Sequence, residues 1–408
     1  MELRPILSTL RRHKTASALI VLEIALSCAI ICNALFLISG RLERMDRPSG
    51  MAEEELVRVQ VTGVGTDDNA TARTESDLAL LRAIPGVKSA SIVNQVVYDG
   101  SSWNSGVNLS PDQTHITLSA SIYLGDAKLP ETMGLKLVAG RTFNPDEMVK
   151  WAVANSPGYD AAPPVAIITT DMAKKLWPGE DPIGKTLYSW GDAGTRVVGV
   201  VEQLARPNEI GGAAAHYYSM LLPIEPDYTV GGRYLVRTEP GRREEVLKAA
   251  VDVLQKNGPT RIILNQGTLD QMRAAYYRQD RSMAWMLVIV CVALLVVTAL
   301  GIVGLASFWV QQRTKQIGVR RALGATRTQI LRYFQTENFL LATAGIVLGM
   351  MMAYGLNQVL MAKAELPRLP ALYLPVGALV LWLLGQLSVL GPARRAAAVP
   401  PAVATRSV

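Results

Sequence analysis

Hydrophobic positions along the chain fall into two regimes. Four long runs are almost wholly apolar: Ala16–Ser39, Met283–Val310, Asn338 to about Leu360, and Ala371–Leu390. Each reaches the roughly 20 residues that a helix needs to cross ~30 Å of hydrocarbon. Glu23 is the one ionisable residue inside them. Between the first and second runs the periods shorten. Glu55–Thr62 alternates like a half-buried strand, Glu75–Ile84 reads as an amphipathic helix ending before Pro85-Gly86, and Lys88–Val97 reads as a second strand. The same order returns as strand Arg233–Thr238, helix Arg242–Lys256 closed by Asn257-Gly258, and strand Arg261–Asn265. Two β-α-β-like units thus bracket a middle portion, Ser101 to Ala205, that is richer in Gly, Pro and short strands.

The predicted architecture is an α-helical membrane protein with four transmembrane helices plus a large α/β (α+β) domain of two subdomains, the second inserted and β-rich. Its segments are an N-terminal stretch (1–15), a first span (16–40) with a stalk to about 48, and a core domain (50–267) with its insert at about 101–205. A stalk helix (268–282), a second span (283–310), a loop (311–336), two further spans (338–360 and 371–390) and a tail (391–408) complete it.

Composition sharpens this picture. Half of the 408 residues are hydrophobic and 18% are charged, against about 25% in soluble domains. Such a balance, unevenly spread, excludes a simple soluble enzyme, a disordered chain and a tightly bundled many-span carrier. The first run follows Arg11, Arg12 and Lys14 as a signal peptide would, but it lacks an A-x-A site and exceeds the 7–15-residue apolar core of signals. A retained anchor is the better reading.

Charge then orients the spans. Arg4, Arg11, Arg12, Lys14, Arg313, Lys315, Arg320, Arg321, Arg327, Arg332, Arg394, Arg395 and Arg406 flank them on one side, thirteen against eight on the other. The richer side is expected to be cytoplasmic, with both termini inside and the large domain outside. The stretches 1–15, 311–336 and 391–408 carry +12 between them against +7 for the whole chain, which leaves the remainder mildly acidic. The excess is a topology signal with some contact to anionic membrane lipids, and not a nucleic-acid footprint.

Candidate chemistry is sparse. Cys28, Cys32 and Cys291 all lie in predicted spans, where small apolar packing residues are expected rather than a metal site, and no cofactor or metal is expected. Gly179-Glu180-Asp181-Pro182-Ile183-Gly184-Lys185-Thr186 matches the P-loop pattern letter for letter. A working P-loop needs a strand before it and a helix after it, whereas a short helix (Asp171–Leu176) precedes this one and a strand-like Leu187–Trp190 follows. Pro182 also removes a needed N–H. No Ser/His/Asp or paired-carboxylate spacing stands out, so the chain is not expected to be an enzyme.

The membrane junctions say more. Thr268 and Gln271 fit a capping box, no Gly or Pro interrupts the chain from there to the second span, and a continuous helix to about Gln312 would be stiff and about 67 Å long at ~1.5 Å per residue. In the following loop, Gln312–Thr326 reads as a short helix broken at Gly324-Ala325, with Thr326 and Gln329 capping the next helix. Its Ile317, Val319, Ala322 and Leu323 are apolar and its Arg320 and Arg321 charged. That pattern suits either docking into a protein groove or resting on lipid headgroups. Glu23 is a candidate functional group or a hydrogen-bonded group between helices. Gly345 and Gly349 permit close helix approach, within the chain or to a second copy.

The stretch Arg313-Thr314-Lys315-Gln316-Ile317-Gly318-Val319-Arg320-Arg321-Ala322-Leu323-Gly324-Ala325 resembles the R-T-x-E-I-G-I-R-R-A-x-G-A signature of the FtsX-like permease family, and within it the MacB-type subunits of ABC transporters. Gly140-Arg141-Thr142-Phe143, Asp181–Lys185 followed by Val197–Val201, and Pro392–Ala397 also match. Where the family usually has glutamates, this chain has Gln312 and Gln316. The resemblance implies a permease in the bacterial inner membrane whose periplasmic domain joins a porter-like subdomain to an inserted one. It implies ATP-driven mechanotransmission, with ATP bound by a separate ABC ATPase subunit docked on Arg313, Ile317, Gly318, Arg320, Arg321, Ala322, Leu323, Gly324 and Ala325. A second permease chain (homo- or heterodimer), a periplasmic adaptor and an outer-membrane channel would complete an export system for an antibiotic, a peptide or a similar substrate. The alternative is an FtsX-like signalling subunit that controls a periplasmic partner without transport.

Overall fold

A computed structural model describes residues 14–100, 102–156, 162–190, 193–208, 215–364 and 368–400. Most of the expected N-terminal segment (1–13) and the end of the tail (401–408) lie outside the described residues. The chain forms two units, one of residues 47–278 and one built from the two ends of the chain.

The first helix, α1 (Lys14–Asp46), runs unbroken through the first apolar run and stops before Arg47-Pro48, since the residue preceding a proline is pushed out of the helical region.

The 47–278 unit begins with β1 (Leu56–Thr62), α2 (Ala70–Arg82) and β2 (Val87–Val93). It ends with β12 (Arg233–Thr238), α6 (Arg243–Asn257) and β13 (Ile262–Thr268). These strands form one antiparallel sheet in the order β13-β1-β12-β2, so each β-α-β pair is split by a strand of the other. This is the ferredoxin-like arrangement. The period-2 alternation of β1 sends Val57, Val59 and Val61 to one face, where they pack with Leu78, Leu81, Val246 and Leu254 of the two helices. Arg58 points to the opposite face. It is 1% exposed and donates to Asp99 at 2.6 Å, and Asp99 also pairs with Arg233. Asp77 of α2 pairs with Arg261 just beyond α6, and Tyr234 and Asn257 donate to the same carboxylate.

The insert leaves after β2 and contains β3 (Asn104–Val107), β4 (Leu118–Leu124), α3 (Leu129–Met133), β5 (Leu137–Gly140), β6 (Val149–Lys150), α4 (Trp151–Ala154), β7 (Val165–Thr169), α5 (Thr170–Leu176), β8 (Thr186–Leu187), β9 (Thr195–Val201), β10 (Ser219–Leu222) and β11 (Ile224–Glu225). Seven of its strands make a second sheet, β3-β4-β10-β7-β9-β5, with β8 also on β9. A bridge between Asn108 and Tyr188 (N–H···O 2.9 and 3.0 Å) returns the β3 end to β8, and Ser105 Oγ donates to the Ser189 carbonyl at 2.7 Å. The sheet therefore nearly closes on itself around Val107, Leu118, Ile122, Ile168, Leu187, Val197 and Met220. Because β10 belongs to this sheet, the insert extends beyond the expected limit near 205.

The stalk differs from the expectation. Instead of one continuous helix there are two, α7 (Leu269–Tyr276) and α8 (Arg278–Gln312), separated at Tyr277. No Gly or Pro marks the break. Tyr277 is 2% exposed, with its ring 5.9 Å from Tyr98 and 4.9 Å from Tyr276. The capping box at Thr268 and Gln271 is present, but α7 is fastened to the domain rather than free-standing. Leu269 is fully buried, Arg273 pairs with Glu53 at 3.0 Å, and Arg243 pairs with Asp270.

The other unit contains α1, α8, α9 (Thr314–Ala322), α10 (Arg327–Ala364) and α11 (Tyr373–Ala397). Four of these helices are long and apolar enough to cross a membrane. Helices α1, α10 and α11 pack closely because small residues line their contacts. A Cβ built on Gly345 would stand 2.8 Å from Ile24 Cβ, and one on Gly349 2.5 Å from Cys28 Cβ. Gly377 of α11 likewise abuts Cys32. Polar contacts add register: Asn33 Nδ2 donates to the Ala353 carbonyl (3.1 Å) and Trp382 Nε1 to Thr343 Oγ1 (3.1 Å). Helix α8 buries Cys291, Ile302, Ala306, Trp309 and Val310 in the same core and adds discrete polar rungs to α1. Asp280 accepts from Arg41 (2.5 Å) and Arg44 (3.4 Å), Ser27 and Thr298 hydroxyls lie 2.8 Å apart, and the Glu23 carboxylate rests on Gly301. Its Trp285, Ile289 and Leu300 stay 64%, 64% and 65% exposed within the chain.

Candidate coupling site

The helix α9 is short because its sequence ends it at both sides. Arg313 leaves the helical conformation before it and accepts the Ile317 N–H at 2.9 Å, and Gly324 at φ +96° turns the chain after Leu323, so that Ala325 N–H reaches the Arg320 carbonyl at 3.0 Å. Thr326 and Gln329 then cap α10 reciprocally at 2.8 and 3.2 Å.

Spacing decides which residues of α9 meet α10. Arg313, Ile317 and Arg320 fall at i, i+4 and i+7 and share a face; Ile330, Phe334 and Glu337 do the same on α10. The two stripes mate. Arg313 Nη1 donates to both oxygens of Glu337, at 3.1 and 3.0 Å, in a pair whose side chains are 10% and 2% exposed. The Arg313 guanidinium also lies 5.5 Å over Trp309, and Arg320 lies 5.0 Å over Tyr333. A small cavity between the helices is lined by Arg313, Gln316, Ile317, Arg320, Tyr333 and Phe334, among others.

The expected docking residues therefore divide. Ile317 and Gly318 are buried and Arg313 is sealed by Glu337, so these three hold α9 to its own chain. Arg321 and Ala325 are partly buried, while Arg320, Ala322, Leu323 and Gly324 are exposed. Val319 at 48% and Leu323 at 83% exposure form an apolar pair one turn apart on the outer face. Glu337, the partner that anchors the site, went unnoticed in the sequence. Its signal was an acid standing at the threshold of an apolar run.

The P-loop lookalike is a turn between α5 and β8. Its amides are already engaged: Gly184 N–H by the Val197 carbonyl (2.8 Å), Ile183 N–H by Asp181 Oδ1 (3.0 Å) and Lys185 N–H by the Pro182 carbonyl (3.2 Å). Lys185 Nζ pairs with Glu180 and lies 5.7 Å over Trp177. Among the described residues no group of three His, Cys, Asp or Glu side chains could hold a metal ion.

Comparison with known proteins decides the family. Residues 17–254 match the MacB-like periplasmic core domain, and residues 288–401 match the FtsX-like permease C-terminal model. The chain belongs to this family of ABC transporter permeases. It is 24% identical over 362 residues to the macrolide export ATP-binding/permease protein MacB of Agrobacterium fabrum, covering 85% of this chain and 51% of that one. It is 22% identical over 430 residues to the ABC transporter permease YknZ of Bacillus subtilis, covering 99% and 98%. The chain thus spans about half of the MacB relative and nearly all of YknZ. Among solved structures, the periplasmic region of MacB from Actinobacillus actinomycetemcomitans matches 57% of this chain and 97% of its own, at 16% identity and a TM-score of 0.34. The extracellular domain of YknZ matches 51% and 100%, at 18% identity and a TM-score of 0.31. This permease is a multi-pass membrane protein carrying a MacB-like periplasmic domain.

Proposed function

We propose that this permease converts ATP turnover in a separate ABC ATPase subunit into movement of its periplasmic domain, and that it thereby drives export of an antibiotic, a peptide or a similar substrate from the periplasm. Both termini and α9 would face the cytoplasm of a bacterial inner-membrane assembly of two permease chains, working with an adaptor and an outer-membrane channel. The observation that carries this reading is the two-sidedness of α9. Its inner face is locked to α10, while Val319 and Leu323 project with the exposed Arg320 beside them. An apolar pair on a fixed, basic helix fits a groove in a protein better than a lipid surface, which would need no fixation. The core domain supplies what must move, and the exposed apolar face of α8, with Trp285, Ile289 and Leu300, suits the membrane rather than a substrate channel.

The test is capture of the ATPase by the tagged full chain from its native membranes. Leu323→Asp should reduce capture about tenfold or more, the scale of losing one buried leucine. Lys185→Ala should leave capture and ATP turnover unchanged. Undiminished capture by the Leu323 variant would contradict the docking role.

A further inference from the structure

Helix α9 could transmit nothing to the membrane if it pivoted freely on its two flanking loops. We infer that the buried Arg313–Glu337 pair is the joint that makes α9, the end of α8 and the first turns of α10 move as one body, and that both residues are positioning residues for coupling. This inference rests on the docking role proposed for α9.

Three observations converge on the pair. First, Arg313 sits where three helices meet. Its N–H closes the last turn of α8 on the Trp309 carbonyl (3.0 Å), its carbonyl accepts the Ile317 N–H of α9 (2.9 Å), and its guanidinium reaches Glu337, nearly three turns into α10. A cation there complements the carbonyl end of α8. The neighbouring amide end of α9 disfavours that cation, so the carboxylate of Glu337 resolves the conflict. Second, the pair is sealed from water. One guanidinium nitrogen, Nη1, meets both carboxylate oxygens, while Nη2 is buried without a hydrogen-bond partner among the described residues, and removing one partner would strand a buried charge. Third, the attachments beyond the pair are unequal. Helix α10 is pressed onto α1 at Gly345 and Gly349, whereas α8 meets α1 through separated polar rungs and adds Cys291, Ile302, Ala306, Trp309 and Val310 to the shared core. A displacement of α9 would therefore reach α1 through α10, and Arg313 would tie the end of α8 to the same movement. The apolar contacts of Ile317 keep α9 beside α10, and the buried charge-assisted contact of Arg313 Nη1 ties the α8–α9 junction to the same face.

The experiment uses the full chain in lipid nanodiscs, alone and with the captured ATPase, with Cys28, Cys32 and Cys291 replaced by alanine. Spin labels at Lys315→Cys and Arg332→Cys report the α9–α10 distance. The unaltered pair should give one narrow distribution. Glu337→Gln, nearly isosteric, should broaden it, and Arg313→Lys, which keeps the charge but loses the planar guanidinium and its stacking on Trp309, should give an intermediate width. With the ATPase present, both variants should keep capture within about twofold while the permease-dependent change in ATP turnover falls about tenfold, within the range usual for coupled sites. In a separate unlabelled set, a disulfide between Ile317→Cys and Phe334→Cys, which line the same cavity, should restore the coupling lost in Glu337→Gln. An unbroadened distance with full coupling, or a loss that the disulfide fails to restore, would overturn the inference. If Leu323→Asp leaves capture intact, the docking role fails while the distance measurement still judges the joint by itself.

Discussion

Glu55 shows how single residues in the core domain are set by partners far away in sequence. Arg237 Nε reaches its carboxylate at 2.6 Å and Lys88 Nζ at 3.0 Å. Chiefly through the Arg237 hydrogen bond, they hold its pKa below the usual 4.5. The folded state therefore favours the ionised form, so the stability from this group is present above pH 4.5 and is lost as pH falls through the lowered value. The purified chain should show an acid limb in its unfolding profile below about pH 4.5, and Glu55→Gln should flatten it. An unchanged limb would place the acid sensitivity elsewhere. None of this was legible in the sequence, because Glu55, Lys88 and Arg237 meet only through the register of three strands. The same holds for Asp77 with Arg261 and for Arg313 with Glu337. Lys185 is the opposite case. Its local context, with helix before and strand after, was enough to dismiss a perfect nucleotide-binding pattern.

Elements were legible where a local period governed them, and less so where packing did. The four apolar runs became four long helices, and both capping boxes formed where Thr and Gln stood three apart. The strand β12 matched its expected limits, while β2 stopped at Val93, short of Val97. The stalk was misjudged because an aromatic cluster, not a Gly or Pro, separates α7 from α8. The spacing of Gly345 and Gly349 announced a close approach, and the structure supplies the partner, α1. Gly349→Leu should cost about 1–3 kcal/mol or more in thermal unfolding of the detergent-solubilised chain. Gly355→Leu, on the same helix with nothing within 4 Å of its added Cβ, should stay within about 0.5 kcal/mol. Equal effects at the two positions would mean that helix propensity, not packing against α1, sets the response.

At the scale of the whole molecule, the sequence yielded the division into membrane helices and a two-part α/β domain, because composition changes abruptly at the span ends. It did not yield the near-closure of the second sheet, which depends on a single bridge between Asn108 and Tyr188. Nor did it separate the two faces of α9, since both are rich in arginine and aliphatic residues and only the opposing helix distinguishes them. The proposed function makes one claim across these scales: force would enter at α9 and be expressed in the periplasmic domain. The most direct measurement is the distance between spin labels at Val64→Cys and Ile116→Cys, both exposed in the core domain, in the cysteine-replaced chain with its captured ATPase. Adding ATP should shift or broaden that distribution, and Leu323→Asp should abolish the response. An unchanged distribution during full ATP turnover would contradict the account.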